Sequence, residues 1–379
     1  MNLPKRFQLV VILDDPQSRF LVDLVSALDF RDSVDVHFVD LQKLRLQLRT
    51  RVVRFLLSLL RKSQGDPQEL AYASVLLRRC RCEKWDIVLG LDNQLGLISK
   101  VSESSLSRKP NCFVIQLGTN PKYYDATSRA KAKQVAVTMF CWGSREPVAY
   151  VRRGLVPRHF VVVGSLKCAI SRRRTPSVNS RTAWDLCIVS QFRSLPIASK
   201  YSESSLFEAA SMPRLIQLLR PAIDVYGLKV VVALKAGRGL YEDLLERQEI
   251  NFFQSTIGDV ADVIVSQDGY ASYEIANNSK LVVGRNSSLL YEVLDTSSKV
   301  LFINPTQFNR FDAPSDLPFR LSMPGEAMVT AAVSELLQMD KSEYDAKIQG
   351  LSSKYCIHNE QALDIVKDHI SRAVEMVYR

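Results

Sequence analysis

Short apolar runs separated by longer amphipathic stretches set the rhythm of this chain. Phe7–Leu13, Val34–Val39, Ile87–Leu91, Cys112–Gln116, Val137–Cys141, Phe160–Val163, Leu186–Ser190, Lys229–Ala233, Val263–Ser266, Leu281–Val283 and Val300–Ile303 read as strands. Nearly all are rich in Val, Ile and Leu and lack polar alternation, the pattern of strands covered on both faces of a parallel sheet. The intervening segments, among them Arg19–Leu28, Leu206–Tyr226 and Ser288–Leu294, carry apolar residues at helical spacing. Strand and helix alternate over most of the length, which predicts an α/β architecture.

One stretch interrupts the rhythm. Residues 168–184, CAISRRRTPSVNSRTAW, are basic, rich in Ser and without period, and read as a linker. A new strand follows. This division predicts two Rossmann-like domains, 1–170 and 182–335, with a helical segment over 336–379. That last segment places Ile348, Leu351, Ala362, Ile365, Val366, Ile370, Val374 and Met376 at helix-like intervals.

Charge sharpens the division. The chain holds 50 Lys+Arg and 40 Asp+Glu, a formal +10. Residues 1–189 carry 31 of the cations and 16 of the anions, so the excess lies entirely in the first half. Such asymmetry fits an anionic partner of the first domain, and fits equally an uneven solvated surface. Residues 43–62, KLRLQLRTRVVRFLLSLLRK, contain seven cations and no acid beside an apolar face. This segment is a candidate for an anionic membrane surface, or for a core-packing helix with solvated arginines. Nucleic acid is disfavoured, because aromatic residues do not interleave with the cations. Seven cysteines in an odd, scattered set argue against a disulfide framework or a structural zinc site and predict buried thiols. The first apolar run ends at Asp14 and Asp15 and reads as a strand, so the expected location is cytoplasmic; residues 43–62 would place the protein peripherally on the inner membrane face.

The sequence has no GxGxxG, no GxxxxGK[ST], no HExxH and no GxSxG, and its four histidines form no triad or metal set. What remains is polar residues at strand carboxyl ends, where open α/β sheets bind ligands. Asp92, Asn93 and Gln94 follow one strand, and Gly118 and Asn120 lie beyond another. In the second half Gln191 and Arg193, Lys235 and Arg238, and the loop Asn286-Ser287-Ser288 follow three further strands. A small polar loop entering a helix suits a phosphate, and three basic strand ends could neutralise it. Glu292, one turn on, could accept hydrogen bonds from sugar hydroxyls. The plainer alternative is that Asn286 or Ser287 only caps the helix.

Taken in order, IVLGLDNQLGLISK, FVIQLGTNPKYYD, MFCWGSREPVAYVRRG, FVVVGSLK, LCIVSQFR, VVVALKAGR and SYEIANNSKLVVGRNSSLLYEVLDTSSKVLFIN resemble surface-carbohydrate biosynthesis proteins of O-antigen and capsule assembly. These are relatives of glycosyltransferases of the GT-B fold. The resemblance spans roughly residues 85–305. It implies two Rossmann-like domains facing across a cleft, the nucleotide-sugar donor on the C-terminal one and a glycan or lipid-linked acceptor on the N-terminal one. It also implies that Asn286, Ser287 and Ser288 contact phosphate, that Glu292 meets the donor's ribose or sugar, and that Gln191 and Arg193 belong to the donor loop. Asp92, Asn93, Gly118 and Asn120 would face the acceptor, with Asp92 the candidate base; an Asx turn is its alternative. One departure stands out: the GKKV usual before the late strand reads SSKV at Ser297–Val300.

The expected function is a glycosyltransferase that needs no metal and no cofactor beyond its nucleotide-sugar substrate. No DxD sequence is present to hold a cation. A non-catalytic sugar-nucleotide or glycan-binding subunit of a polysaccharide assembly complex is the alternative.

Overall fold

A computed structural model describes residues 7–13, 20–30, 34–41, 75–80, 82–104, 109–118, 132–174, 183–192, 203–234, 240–264, 270–296 and 298–378. The chain divides into two compact units. One comprises Met1–Gly118, Ala126–Ile170 and Asn359–Arg379, the other Thr119–Asp125 and Ser171–His358.

The first unit holds strands β1 (Phe7–Leu13), β2 (Val34–Asp40), β3 (Ile87–Leu91), β4 (Asn111–Ile115), β5 (Lys133–Cys141) and β6 (Leu155–Val162). They form one parallel sheet in the order β2-β1-β3-β4-β5-β6. The helices α1 (Phe20–Leu28), α2 (Leu95–Ser102) and α3 (Glu146–Arg153) belong to this unit, and the unit boundary after Ile170 falls within α4 (Leu166–Arg174). The second unit holds β7 (Trp184–Val189), β8 (Val230–Ala233), β9 (Ala261–Ile264), β10 (Ser279–Gly284), β11 (Lys299–Asn304) and β12 (Arg320–Ser322). Its sheet is also parallel, in the order β12-β11-β10-β7-β8-β9. Its helices are α5 (Glu203–Tyr226), α6 (Leu240–Ile257), α7 (Ala271–Asn277), α8 (Ser288–Glu292), α9 (Glu326–Gln338), α10 (Lys341–Ile348) and α11 (Leu351–Tyr355); α12 (Ala362–Tyr378) closes the chain.

Burial explains why the apolar runs make parallel strands. All residues of β3, β8 and β11 are buried, so each strand is covered on both faces. Removing one such Val, Leu or Ile from water contributes roughly 1.5–3 kcal/mol. Read from its first strand, the second sheet has the Rossmann order 3-2-1-4-5-6. The direction in which successive strands are added therefore reverses between β7 and β10. The first sheet reverses between β1 and β3. Connections leave the two strands of a switch point in opposite directions, so a crevice opens beyond their carboxyl ends.

All eleven expected strands are present, within a few residues of their expected ends. The strand Arg320–Ser322 was not expected; it has three residues at a sheet edge, too few to leave a pattern. The basic run expected to begin a linker is helical through Arg174, where α4 ends with Arg172, Arg173 and Arg174 in its last turn. Cations there complement the carbonyl end of the helix, so a run of arginines need not mark a break. The C-terminal stretch is helical as expected, and α12 belongs to the first unit. Asn111 Nδ2 donates to Ala373 O at 3.1 Å, Lys367 Nζ to Asp29 O at 3.1 Å, and His369 meets the Phe140 ring edge-on at 5.9 Å. The basic segment 43–62 lies outside the described residues. Among the described residues no helix is long and apolar enough to cross a membrane.

Candidate functional site

The second sheet's switch point gathers side chains from three strand ends. Beyond β7 come Ser190, Gln191 and Phe192; beyond β10 come Arg285, Asn286 and Ser287. Gln191 Oε1 accepts the backbone N–H of Asn286 at 3.2 Å and the Arg285 Nε–H at 3.4 Å. One amide oxygen thus ties the β7 loop to the β10 loop. Arg285 is 4 % exposed, and its guanidinium lies 4.3 Å above the Phe311 ring. A buried cation stacked on an aromatic face has its plane fixed in advance, which suits a planar fork that meets phosphate oxygens.

The loop beyond β11 supports this arrangement. Asn304 Nδ2 donates to Phe308 O at 3.0 Å and Asp312 Oδ1 at 2.7 Å, while its Oδ1 accepts from Thr306 N and Oγ1. Asp312 O in turn accepts from Asn286 Nδ2 at 3.3 Å, and Asn286 Oδ1 accepts from Tyr291 O–H at 2.7 Å. Asn286 is therefore held at its backbone N–H and at both ends of its side chain. These three bonds fix the loop.

Ser287 occupies the N-cap position of α8, yet its side chain makes no capping bond. The capping alternative is thus not what the hydroxyl does. The helix itself has five residues. A single turn sums few peptide dipoles, so the dipole argument for this loop loses most of its weight. Ser288 is half-buried in the first turn. Glu292 is buried, and its Oε1 accepts from Tyr273 O–H at 2.8 Å. Gly284 lets β10 approach closely: an added Cβ would stand 3.2 Å from Leu290 Cδ1 and 3.3 Å from Val189 Cβ. Arg193, Lys235 and Arg238 lie outside the described residues.

In the first unit, Asp92 sits at the carboxyl end of β3, beside the switch point. It is buried; Oδ1 accepts from Leu117 N at 3.2 Å and Oδ2 from Tyr150 O–H at 2.8 Å. These bonds brace β3, β4 and α3 against one another. Asn93 is exposed in the same turn. Gly118 accepts from Gln116 Nε2 at 3.0 Å, and Gln116 Oε1 accepts from Trp142 N at 2.8 Å, linking the ends of β4 and β5. Asn120 lies outside the described residues. Among the described residues no group of His, Cys, Asp and Glu is placed to hold a metal ion.

Arg285 and Phe311 are the residues that the sequence did not single out. Arg285 directly follows β10, inside the loop whose Asn and Ser drew attention, and its position as a cation at a strand end was the available signal. Nothing in the sequence pairs it with Phe311.

Residues 115–316, more than half of the chain, match a family model described as an O-antigen biosynthesis protein. Among curated proteins no sequence matches. Solved structures match in fold along nearly the whole length. The UDP co-structure of Staphylococcus aureus MnaA shares 14% identity over 98% of this chain and 98% of its own, with a TM-score of 0.59. A Methanocaldococcus jannaschii UDP-GlcNAc 2-epimerase in complex with UDP-GlcNAc and UDP shares 12% over 97% and 100%, with a TM-score of 0.55. Sucrose-phosphate synthase from Thermosynechococcus elongatus shares 10% over 98% and 100%, with a TM-score of 0.51. At these identities the likeness is one of fold: two Rossmann-like domains of the GT-B kind.

Proposed function

The chain belongs to the O-antigen biosynthesis protein family, and from that premise we propose that it is a nucleotide-sugar enzyme, a glycosyltransferase that extends a surface polysaccharide or lipid-linked glycan. The observation that carries this reading is the convergence of Gln191, Arg285 and Asn286 on the β7/β10 switch point. Open α/β sheets take their ligands at such a point. The proposed ligand is the donor's diphosphate, and the UDP named in two of the matched structures supports that choice.

In this reading Arg285 meets the diphosphate, assisted by Arg193, Lys235 and Arg238, which follow β7 and β8 in the sequence. Ser287 and Ser288 offer hydroxyls to the phosphate, and Glu292 turns toward the donor's ribose or sugar. The acceptor hydroxyl attacks the anomeric carbon as the bond to the diphosphate oxygen breaks, and the diphosphate leaves with the bonding pair. Cations fixed where that charge develops lower the barrier. The hydroxyl proton goes to a base, for which Asp92 is the candidate, with Asn93, Gly118 and Asn120 on the acceptor side. The basic segment 43–62 would hold the enzyme at an anionic membrane surface on the cytoplasmic side, near a lipid-linked acceptor.

A second reading rests on the fold likeness to a UDP-GlcNAc 2-epimerase: isomerisation of a nucleotide sugar without an acceptor. One experiment separates the two. Purified protein is incubated with a panel of nucleotide sugars, with and without undecaprenyl-linked glycan. Release of nucleoside diphosphate that depends on acceptor supports transfer, and a changed sugar on intact donor supports isomerisation. Binding with neither outcome would leave a sugar-nucleotide-binding subunit.

A further inference from the structure

Among the described residues, helix α6 meets both residues that flank Gln191. Ser190 Oγ–H donates to Glu249 Oε1, and Ser190 Oγ accepts the backbone N–H of Phe192 at 3.2 Å. Phe192 stacks on Phe252 with ring centroids 4.8 Å apart and an interplanar angle of 30°. Glu249 and Phe252 both lie on α6, three residues apart, which puts them on one face of that helix. Glu249 is 4 % exposed and Ser190 5 %. So the residues on either side of Gln191 are both gripped by the same helical face, and Gln191 points its amide oxygen at Arg285 and Asn286.

We propose that Glu249, with Phe252, is a positioning residue: it clamps the Ser190–Phe192 turn so that Gln191 holds the β10 loop in the geometry that receives the diphosphate. The clamp itself is a relation within the second unit; its effect on ligand rests on the nucleotide-sugar reading above. A carboxylate suits this task because it only accepts hydrogen bonds, so it fixes the direction in which the Ser190 hydroxyl points and leaves the hydroxyl oxygen free to accept from Phe192. Burying a carboxylate is costly unless donors meet it, and an apolar residue at 249 would fill the space at lower cost. The Ser190 hydroxyl is one donor that meets this buried acid, and through it the acid fixes the turn.

Two readouts test this, one independent of any ligand. Hydrogen exchange in the free protein should accelerate about tenfold for peptides spanning 284–290 in Glu249→Ala, as the bond from Asn286 N–H to Gln191 opens more often. Glu249→Gln retains an acceptor oxygen and should exchange like the parent, and Ser190→Ala should exchange like Glu249→Ala. An unchanged 284–290 segment would overturn the clamp, as would equal acceleration across β8, β9 and β11, which would mean general loosening. If Glu249→Ala does not fold, the Ser190→Ala and Glu249→Gln pair decides by the same criterion. The second readout is titration with UDP. Glu249→Ala and Gln191→Ala should each weaken binding, and together no more than Gln191→Ala alone, because the first acts through the second. Additive losses would overturn the clamp as a route to the ligand. If UDP does not bind the parent protein, the same titration is made with CDP, GDP and TDP; failure of all four would count against the diphosphate site alone, and the exchange result would still decide the clamp.

Discussion

Gln191 accepts the backbone N–H of Asn286 at 3.2 Å, joining residues 95 positions apart at the switch point of the second sheet. The same oxygen receives the Arg285 Nε–H. A single side chain therefore fixes both the loop that would face the diphosphate and the cation that would neutralise it.

Substituting that side chain should act on ligand before it acts on fold. Gln191→Ala removes two hydrogen bonds at a half-buried position and should weaken nucleoside diphosphate binding about tenfold. Gln191→Glu places an anion beside the phosphate and should weaken it further, in contrast to a purely structural role, where the near-isosteric Glu would be the milder change. Isothermal titration of both variants reads the order.

Tyr150 and Asp92 form the corresponding tie in the first unit. Tyr150→Phe deletes the O–H that Asp92 Oδ2 accepts and should cost about 1–3 kcal/mol of stability, because a buried carboxylate oxygen loses a donor. Urea denaturation measures the loss. Asp92→Asn keeps the size of the side chain. If Asp92 takes the acceptor proton, turnover falls at least a hundredfold with nucleotide binding unchanged; if it only braces the strands, stability falls and turnover follows it.

Lys299 serves the fold. Its Nζ donates to Leu336 O at 2.7 Å and to Met339 O, satisfying carbonyls at the end of α9, and burial holds its ammonium below the usual lysine range. Lys299→Met should cost roughly 1.5–3 kcal/mol, since hydrogen bonds to a charged donor are lost. Circular-dichroism melts would show a lower midpoint, while nucleotide affinity below the transition stays at the parent value.

The thiols should separate cleanly by reactivity. Burial pushes Cys187 and Cys141 up to about 12 and Cys80 up to about 11, and raises Cys112 as well. Cys82 alone among the seven cysteines is exposed. Since the thiolate is the nucleophile, a native protein at pH 8 should show one fast thiol toward a disulfide reagent, and seven after denaturation. The raised values also set the sign with pH: the buried thiols favour the fold below their ordinary value near 9.0, and that contribution fades as pH climbs from there toward 12. Urea midpoints measured from pH 7 to pH 10.5 should fall at the alkaline end.

Strand and helix positions were legible because two-sided burial writes itself as unbroken apolar runs, as in Ile87–Leu91 and Val300–Ile303. Arg320–Ser322 was not, since three half-exposed or exposed residues carry no period. The arginines at 172–174 misled because charge alone does not distinguish a helix end from a linker. At the site, the loops Gln191 and Asn286–Ser288 could be found one by one as strand ends. Their pairing could not, because it depends on β10 lying beside β7, and strand order is not a local property of sequence. Ser287 bears on the capping alternative. Its residue type fits a cap, and its hydroxyl makes no such bond.

The most direct test is isothermal titration of the parent protein and Arg285→Ala with UDP, CDP, GDP and TDP. A donor site at the β7/β10 switch point predicts that one of these binds the parent protein at one site per chain, and that Arg285→Ala loses at least about tenfold in affinity with its melting midpoint little changed. Failure of all four to bind, or equal affinity in the two proteins, would contradict it.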